Sequence, residues 1–205
     1  MIGARFKPYP EYKDSGVEWL GEIPAHWETC RLNHVAMIND EALPEDTNPN
    51  YEILYIDIGS VDATKGILTQ ETYAFAEAPS RARRVVHDGD VIVSTVRTYL
   101  RAIAPIVNPE PNLIVSTGFA VIRLRYGLLS NFASYVLRAP YFVDYVVAES
   151  VGVSYPAINA WQLGTFRIGV PTEEEQQTIA DFLDRETAKI DALVEKKERL
   201  IELLK

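Results

Sequence analysis

The histidines and the cysteine are the residues most able to do chemistry, because they serve as general bases, nucleophiles and metal ligands. His26, His34 and His87 lie far apart in the sequence, and no H-E-x-x-H pattern joins any two of them. A single cysteine, Cys30, excludes an internal disulfide and argues against a cysteine-based metal site. The histidines are therefore interpreted as structural or surface residues.

The glycines do not form a nucleotide-binding pattern. None of the candidate turn glycines belongs to a G-x-G-x-x-G or P-loop motif. The tripeptide at residues 88–90 (DGD) resembles the start of a calcium or nuclease motif, but it lies between two strand-like segments, where a turn is the better interpretation. We find no catalytic constellation, so the sequence predicts a protein that is not an enzyme and holds no cofactor or metal of its own.

Arginine is the one chemistry-bearing residue type that clusters. The chain has a net charge of −9, yet residues 81–125 hold seven arginines against three acidic residues, whereas residues 1–80 hold five basic and 14 acidic residues. Phosphate neutralisation supplies most non-specific DNA affinity and requires Lys and Arg. The distribution is compatible with a small DNA-recognition face on an acidic body, and equally with a solvated face of scattered ion pairs.

Two arginine-bearing segments supply the candidate DNA contacts. Arginine forks bind guanine edges or phosphates, hydroxyl groups suit either, and tyrosine stacks or bonds to phosphate. The second segment directly follows an apolar strand, as a recognition loop on a rigid support would. The candidates are Arg81, Arg83, Arg84, Ser94, Arg97, Thr98, Tyr99 and Arg101. Alternatively, Arg83 and Arg84 simply pair with the acidic N-terminal third.

The elements that must position these residues are mixed. Alternating or β-branched runs predict strands at residues 51–58, 91–96, 113–115, 118–124 and 166–170, and residues 30–38 fit a strand or a short helix. Two short helices follow the fourth strand, the first capped by Asn131 and the second beginning near Pro140. The aromatic and proline-rich start of the chain suggests an irregular segment anchored by Trp19 and Trp27. The pattern predicts an α+β domain over residues 1–171.

Residues 172–205 predict one long amphipathic helix. Thr172 and Glu175 match a capping box, in which each side chain bonds the other residue's backbone amide. From Ile179 a 4,3 spacing continues for more than three heptads, the pattern of a coiled coil. The expected helix-pairing residues are Ile179, Leu183, Ile190, Leu193, Leu200 and Leu204, with polar Glu186 and Lys197 at seam positions. The alternative is a helix that lies wholly across its own domain.

Four stretches resemble the specificity subunit of type I restriction-modification systems. They are residues 12–27 (YKDSGVEWLGEIPAHW), residues 89–94 (GDVIVS), residues 152–161 (GVSYPAINAW), and residues 168–171 (IGVP) with residues 175–179 (EQQTI) and Leu183. The first of these is the most specific. The resemblance covers essentially the whole chain but half of a usual family member, which holds two target recognition domains, each followed by a long helix.

The resemblance implies a function. One recognition domain would read one half of a split double-stranded DNA target, and the helix would act as spacer, dimerisation element and docking site for DNA methyltransferase (modification) subunits. Those subunits would bind S-adenosylmethionine and methylate adenine, and a further, ATP-dependent restriction subunit would cleave. Because target-contacting residues vary with the target, the family transfers no contact residues to this chain.

Two questions stay open at this stage. The chain is either a natural half-subunit or a piece of a longer protein, and truncation is slightly favoured because the helix is still periodic where the sequence stops. We expect a homodimer through the C-terminal helix. We also expect a cytoplasmic location and no membrane association, since no apolar run approaches the roughly 20 residues that span a bilayer. The alternative function is an acidic protein-interaction module that pairs through its helix without binding DNA.

Overall fold

The fold is organised around one strand that is buried on both faces. The structure is a computed structural model, and it describes residues 8–125 and 127–204. The central strand, Val91–Ser94, is buried at every position. Its side chains alternate between two hydrophobic clusters, with Val91 and Val93 in one and Ile92 in the other, because successive residues of a strand point to opposite faces.

The strands are β1 (Tyr12–Asp14), β2 (Glu22–Pro24), β3 (Glu28–Arg31), β4 (Ala36–Ile38), β5 (Glu52–Ile56), β6 (Val61–Asp62), β7 (Gly66–Ile67), β8 (Glu71–Ala74), β9 (Ala82–Val85), β10 (Val91–Ser94), β11 (Ile103–Pro105), β12 (Leu113–Ser116), β13 (Phe119–Leu124) and β14 (Arg167–Val170). The helices are α1 (Leu32–Val35), α2 (Ser130–Arg138), α3 (Pro140–Ala148), α4 (Ala160–Thr165) and α5 (Glu173–Leu203), with single 3-10 turns at Ile58–Ser60 and Thr98–Leu100.

Two four-stranded sheets and a helical layer form the body. One sheet has the order β11-β10-β13-β4 and the other β8-β5-β12-β9. Their facing sides share a cluster that includes Phe119 and Val121 of β13 and Val115 of β12. The far side of the first sheet packs against the helices through a second cluster, to which Phe132 of α2 and Phe142 of α3 belong. The predicted α+β class is confirmed.

Several local expectations needed correction. Residues 30–38 form a strand, one helical turn and another strand rather than a single element. Asn131 does not cap α2, because the N-cap position is Leu129, which makes no side-chain cap. The first thirty residues, expected to be irregular, contain the β1-β2 hairpin and β3, and α4 falls where only a loop was expected. Short elements such as these carry too few residues for hydrophobic periodicity to show.

The long helix divides into two halves. The first half packs on the body, where Ala180 is fully buried and Ile179 packs against the cluster beneath the first sheet. Leu183 lies beside Tyr135 of α2 in a groove. From Ala188 to the last described residue every side chain is exposed. Ile179 is therefore corrected from a helix-pairing residue to one that holds the helix to its own domain. Leu183 is half-buried beside α2, and the apolar seam residues from Ile190 onward are exposed.

The cap of the long helix differs from the predicted capping box. Thr172 is the N-cap, and its side chain accepts a hydrogen bond from the Glu175 amide at 3.4 Å, as expected. Glu175 does not reach back to Thr172. Its carboxylate instead accepts from Tyr9 Oη at 2.5 Å and Trp27 Nε1 at 3.1 Å, and it contacts His26 Nε2 at 2.8 Å. The start of the chain thus anchors the start of the helix.

This anchor predicts a pH-dependent stability. Burial raises the pKa of the Glu175 carboxyl, but the hydrogen bonds from Tyr9, Trp27 and His26 outweigh it and hold that pKa below its usual value. A carboxyl with a depressed folded pKa stabilises the fold above its unfolded pKa of about 4.3, and the contribution is lost as the pH falls through the folded value. We expect Glu175→Gln to lower the free energy of unfolding by about 1–3 kcal/mol at neutral pH.

Urea denaturation at neutral pH and at progressively lower pH checks this expectation. The difference between the wild type and Glu175→Gln should shrink as the pH falls below the unfolded pKa of the glutamate. Glu174→Gln, on the same turn but exposed, is the matched control and should change stability by less than about 1 kcal/mol. A Glu175→Gln effect that is independent of pH would contradict the assignment of the charge to this anchor.

Candidate nucleic-acid interface

The ends of four strands converge at one edge of the two sheets. Strands β5 and β12 are parallel, so their carboxyl ends meet, and the antiparallel register brings Ala82 at the start of β9 beside Ser116 at the end of β12. The end of β10 joins the same edge, since the Thr95 amide donates to the Gly118 carbonyl at 2.8 Å. Loops leaving these strands must therefore lie together.

A cleft of about 560 Å³ opens at this edge. Its lining combines strand ends and loops that are distant in sequence. The lining residues are Tyr55, Asp57, Ile58, Gly59, Arg81, Val96, Arg97, Ser116 and Tyr155. Two of the predicted DNA-contacting arginines are brought together here, although they are 16 positions apart in the sequence.

Arg97 has the more defined environment of the two cleft arginines. Its guanidinium carbon lies 4.9 Å from the centroid of the Tyr155 ring, and its amide donates to the Pro156 carbonyl at 2.8 Å. Arg81 also lines the cleft and is exposed. Cationic groups at the mouth of an open cleft attract an anionic backbone and leave their donors free to bond.

Tyr99 lies on the 3-10 turn that follows Arg97, Arg101 directly follows that turn, and both are exposed. The Arg101 guanidinium forms an ion pair with Asp144 of α3 at 2.7 Å, with both side chains about half exposed. An exposed pair of this kind contributes little stability and can be exchanged for a phosphate contact. Tyr99 and Arg101 add exposed polar side chains next to the cleft, outside its lining.

Ser94 and Thr98 are not available at the protein surface. Both are buried, and Ser94 Oγ donates to the Val96 carbonyl at 2.5 Å. Thr98 Oγ1 donates to Ser150 Oγ at 2.8 Å. Their hydroxyl groups are used inside the fold, so the two residues are corrected from candidate DNA contacts to supports of the loop that carries Arg97.

Arg83 is also engaged within the domain, and its neighbour Arg84 is half-buried. The Arg83 guanidinium stacks over the Phe75 ring at 4.6 Å and donates to the Ala82 carbonyl at 2.8 Å. Arg84 is half-buried on β9, and its buried Nε has no hydrogen-bond partner among the described residues. Arg83, predicted to contact DNA or to pair with the acidic N-terminal third, instead packs on Phe75 within the domain. Arg84 forms no ion pair with the described acidic residues, and its contact with DNA stays a prediction.

Arg123 is the arginine that pairs with acidic residues of the N-terminal third. Its Nη1 lies 2.8 Å from Asp40 and 3.1 Å from Glu41, and its Nη2 lies 3.0 Å from the buried Asp90. Asp90 also accepts from the His87 amide at 2.8 Å, which closes the predicted turn at residues 88–90. The positive charge of residues 81–125 is therefore divided by the fold, and only part of it reaches the cleft.

Sequence reasoning missed four polar residues that line the cleft: Tyr55, Asp57, Ser116 and Tyr155. Burial raises the pKa of the Tyr55 hydroxyl, which stays a neutral hydrogen-bonding group at neutral pH. Asp57 caps the 3-10 turn through Ser60, accepting from its amide and its hydroxyl at 2.9 Å. The available signal was positional. Tyr55 and Asp57 lie in the C-terminal half of the predicted strand 51–58, Ser116 follows the predicted strand 113–115, and Tyr155 lies in the quoted stretch 152–161.

Two negative findings apply to residues 8–125 and 127–204. No group of three or more His, Cys, Asp or Glu side chains is placed to hold a metal ion. No helix in these ranges combines the length and the apolar character needed to cross a membrane.

Comparison with known proteins identifies the family. Residues 24–203 match the family model described as "Type I restriction modification DNA specificity domain". The chain belongs to this family. Among its relatives is the specificity subunit of the type I restriction enzyme MjaIX from Methanocaldococcus jannaschii, 23% identical over 100% of this chain and 46% of the relative. The HindI specificity subunit of Haemophilus influenzae is 25% identical over 77% of this chain and 34% of the relative.

Solved structures of the family have the same fold. The HsdS subunit from Thermoanaerobacter tengcongensis superposes with a TM-score of 0.74 and 30% identity, covering 83% of this chain and 44% of that one. A chain from a structural study of the assembly and conformational transition of the type I restriction-modification system gives a TM-score of 0.75 and 31% identity, covering 89% and 48%. The chain thus spans about half the length of the relatives it matches.

The four stretches that carry the family resemblance meet in two places. Trp27, at the end of the first stretch, packs over Gly169 of the last, where an added Cβ would lie 3.0 Å from the indole ring, and it donates to Glu175. The third stretch meets the end of the second, where the Ile158 amide donates at 2.9 Å to the carbonyl of Thr95, the residue directly after the second stretch. The family motifs therefore include the residues of two contacts. One joins the start of the chain to β14 and the long helix, and the other joins the segment after α3 to the end of β10.

Proposed function

We propose that this chain recognises one half of a bipartite double-stranded DNA target as a specificity element of a type I restriction-modification complex. The observation that carries the proposal is the match of residues 24–203 to the DNA specificity domain family. The cleft with Arg81 and Arg97 on its rim supports the location of the DNA-reading surface. The proposed contact residues are Arg81, Arg97, Tyr99 and Arg101.

The free half of α5 supports the proposed partners. Its exposed apolar side chains continue the heptad spacing from Ile190 to Leu204, and such a stripe is stable when another helix covers it. The proposed partners are a second copy of the chain and the DNA methyltransferase subunits, with a restriction subunit in the complete system. A two-fold homodimer would read a palindromic bipartite target.

In this proposal the chain is non-catalytic. Methyl transfer, with S-adenosylmethionine, and ATP-dependent cleavage belong to the partner subunits. The chain contributes the choice of DNA sequence and the spacing between the two half-sites.

Salt dependence of DNA binding tests the proposal. The chain, assembled with its modification subunits, should bind a duplex carrying its target with an affinity that falls steeply as salt rises, because bound arginines release phosphate counterions. Removing two phosphate contacts with the double variant Arg81→Ala/Arg101→Ala should weaken binding and lower the slope of log affinity against log salt by up to about 2. Fluorescence anisotropy over a salt series measures both quantities.

Arg125→Ala is the matched control for this measurement. Arg125 is exposed and follows the end of β13 opposite to the end that pairs with Ser94, about 20 Å away at the rise of a strand. Its replacement should leave affinity and slope unchanged. Salt-dependent binding that is equally intact in the double variant would move the DNA surface elsewhere on the chain.

The alternative is an acidic protein-interaction module. Its support is the net charge of −9 together with the internal engagement of Arg83 and Arg123. An assembled complex that binds a modification subunit but no DNA at any salt concentration would favour this alternative over the DNA-reading function.

A further inference from the structure

Two arginines flank the 3-10 turn at Thr98–Leu100 in the left-handed backbone conformation. Arg97 has φ 53° and ψ 47°, and Arg101 has φ 53° and ψ 33°. This region is unfavourable for residues with a Cβ, and glycine is the residue that adopts it readily. Strained backbone of this kind persists only where the surrounding structure imposes it, and it concentrates at functional sites.

The long-range contacts that hold Val96, Arg97 and Thr98 in this conformation come from α3 and the segment that follows it. The Arg97 amide donates to the Pro156 carbonyl at 2.8 Å, and Val96 forms a β-bridge with Ala157. Thr98 Oγ1 donates to Ser150 Oγ at 2.8 Å, which in turn donates to the Val146 carbonyl at 2.7 Å. A second segment of the chain therefore holds the arginine turn in a fixed position.

The same segment fixes the direction of the Arg97 side chain. The guanidinium stacks on the Tyr155 ring in the lining of the cleft. Tyr155 itself is 62% exposed. No carboxylate of the described residues forms an ion pair with Arg97. A guanidinium stacked on an aromatic ring keeps its planar N–H fork free in one orientation, and that fork matches the O6 and N7 acceptors of guanine in the major groove.

We propose that Arg97 is a specificity-determining residue that reads a guanine base edge, and that Tyr155 is the positioning residue that holds its fork. The inference rests on the proposed function, and it assigns the ligand of one side chain within that surface. Arg81 and Arg101, which lack an aromatic support of this kind, contact the DNA backbone.

Methylome sequencing tests the proposal in a host that carries the chain and its modification subunits. For Arg97→Ala we expect the methylated motif to lose its preference for guanine at one position of the half-site, by about 10- to 100-fold, with the other positions unchanged. Tyr155→Ala should relax the same position by a smaller factor, and Tyr155→Phe, which keeps the ring, should retain the wild-type motif. Arg125→Ala is the arginine control and should leave the motif intact.

Arg97→Gly separates loss of reading from loss of folding. Glycine relaxes the left-handed strain, so the thermal midpoint should equal or exceed that of the wild type while the motif relaxes as in Arg97→Ala. An unchanged motif in both variants overturns the proposal. Reduced methylation of an unaltered motif also overturns it, because that result assigns Arg97 to a phosphate. A wild-type complex without DNA binding or methylation would instead defeat the proposed function, and the inference with it.

Discussion

Replacing Leu193 and Leu200 with aspartate is expected to abolish pairing of the long helix while leaving the domain folded. The two side chains are 54% and 56% exposed, and they lie beyond the part of α5 that packs on the body. A pair of helices would lose four buried leucines at about 2 kcal/mol each, on the order of 8 kcal/mol, and the association constant would fall by more than about 10⁵-fold. The buried aspartates would add a further penalty.

Light scattering at tens of micromolar protein would report the change from dimer to monomer. The matched control is Ala188→Asp/Arg199→Asp, which adds at least as much negative charge to exposed positions away from the predicted seam. That variant should remain dimeric, and circular dichroism should show a folded domain in both. A wild-type chain that is monomeric under these conditions would contradict homodimerisation, and a dimer that survives both replacements would place the contact elsewhere.

The second large effect is expected at Gln176, which joins the long helix to the loop before α2. Gln176 is fully buried. Its Oε1 accepts from the Leu129 amide at 2.8 Å, and its Nε2 donates to the Gly127 carbonyl at 2.7 Å and to the Pro171 carbonyl at 3.0 Å. Truncation to alanine leaves these backbone groups without their partner and opens a cavity, so we expect a loss of about 3 kcal/mol.

For a domain of this size, such a loss lowers the thermal midpoint by roughly 10 °C. Differential scanning fluorimetry would measure it. Gln177→Ala is the matched control, because the Gln177 side chain is exposed and bonds only Asp181 on its own helix; its midpoint should move by no more than about 2 °C. Equal midpoints for the two variants would show that the three hydrogen bonds of Gln176 do not hold the helix to the body.

These two predictions mark the limit of what helix periodicity reveals. The 4,3 spacing located the seam, and it continues across Ile179 and Ile190 without a break. In the structure Ile179 packs against its own domain whereas Ile190 is exposed. Periodicity indicates that an apolar residue of the helix will be covered, but it does not say whether its own domain or another helix covers it. Only the tertiary contacts of α2 with α5 distinguish the two halves of the helix.

The sequence indicated which segment carries the candidate arginines but not which of them line the cleft. The concentration of arginine at residues 81–125 indicated the segment, and Arg81 and Arg97 of that segment line one cleft. Arg83, Arg84 and Arg123 have the same side chain but are held by Phe75, by burial and by acidic residues. Composition cannot separate these cases, because strand alternation and long-range pairing decide which side chains reach solvent.

By itself the sequence determined the α+β class, the main strands, the helix start at Thr172 and the family motifs, because each depends on short-range pattern or turn chemistry. The tertiary structure decided which contacts those motifs serve. Glu175 bonds Tyr9, Trp27 and His26 rather than completing the predicted capping box, and Arg97 holds a left-handed backbone conformation in which its amide bonds the distant Pro156 carbonyl. In both cases partners more than 50 residues away outweigh the local preference, and no local pattern encodes such partners.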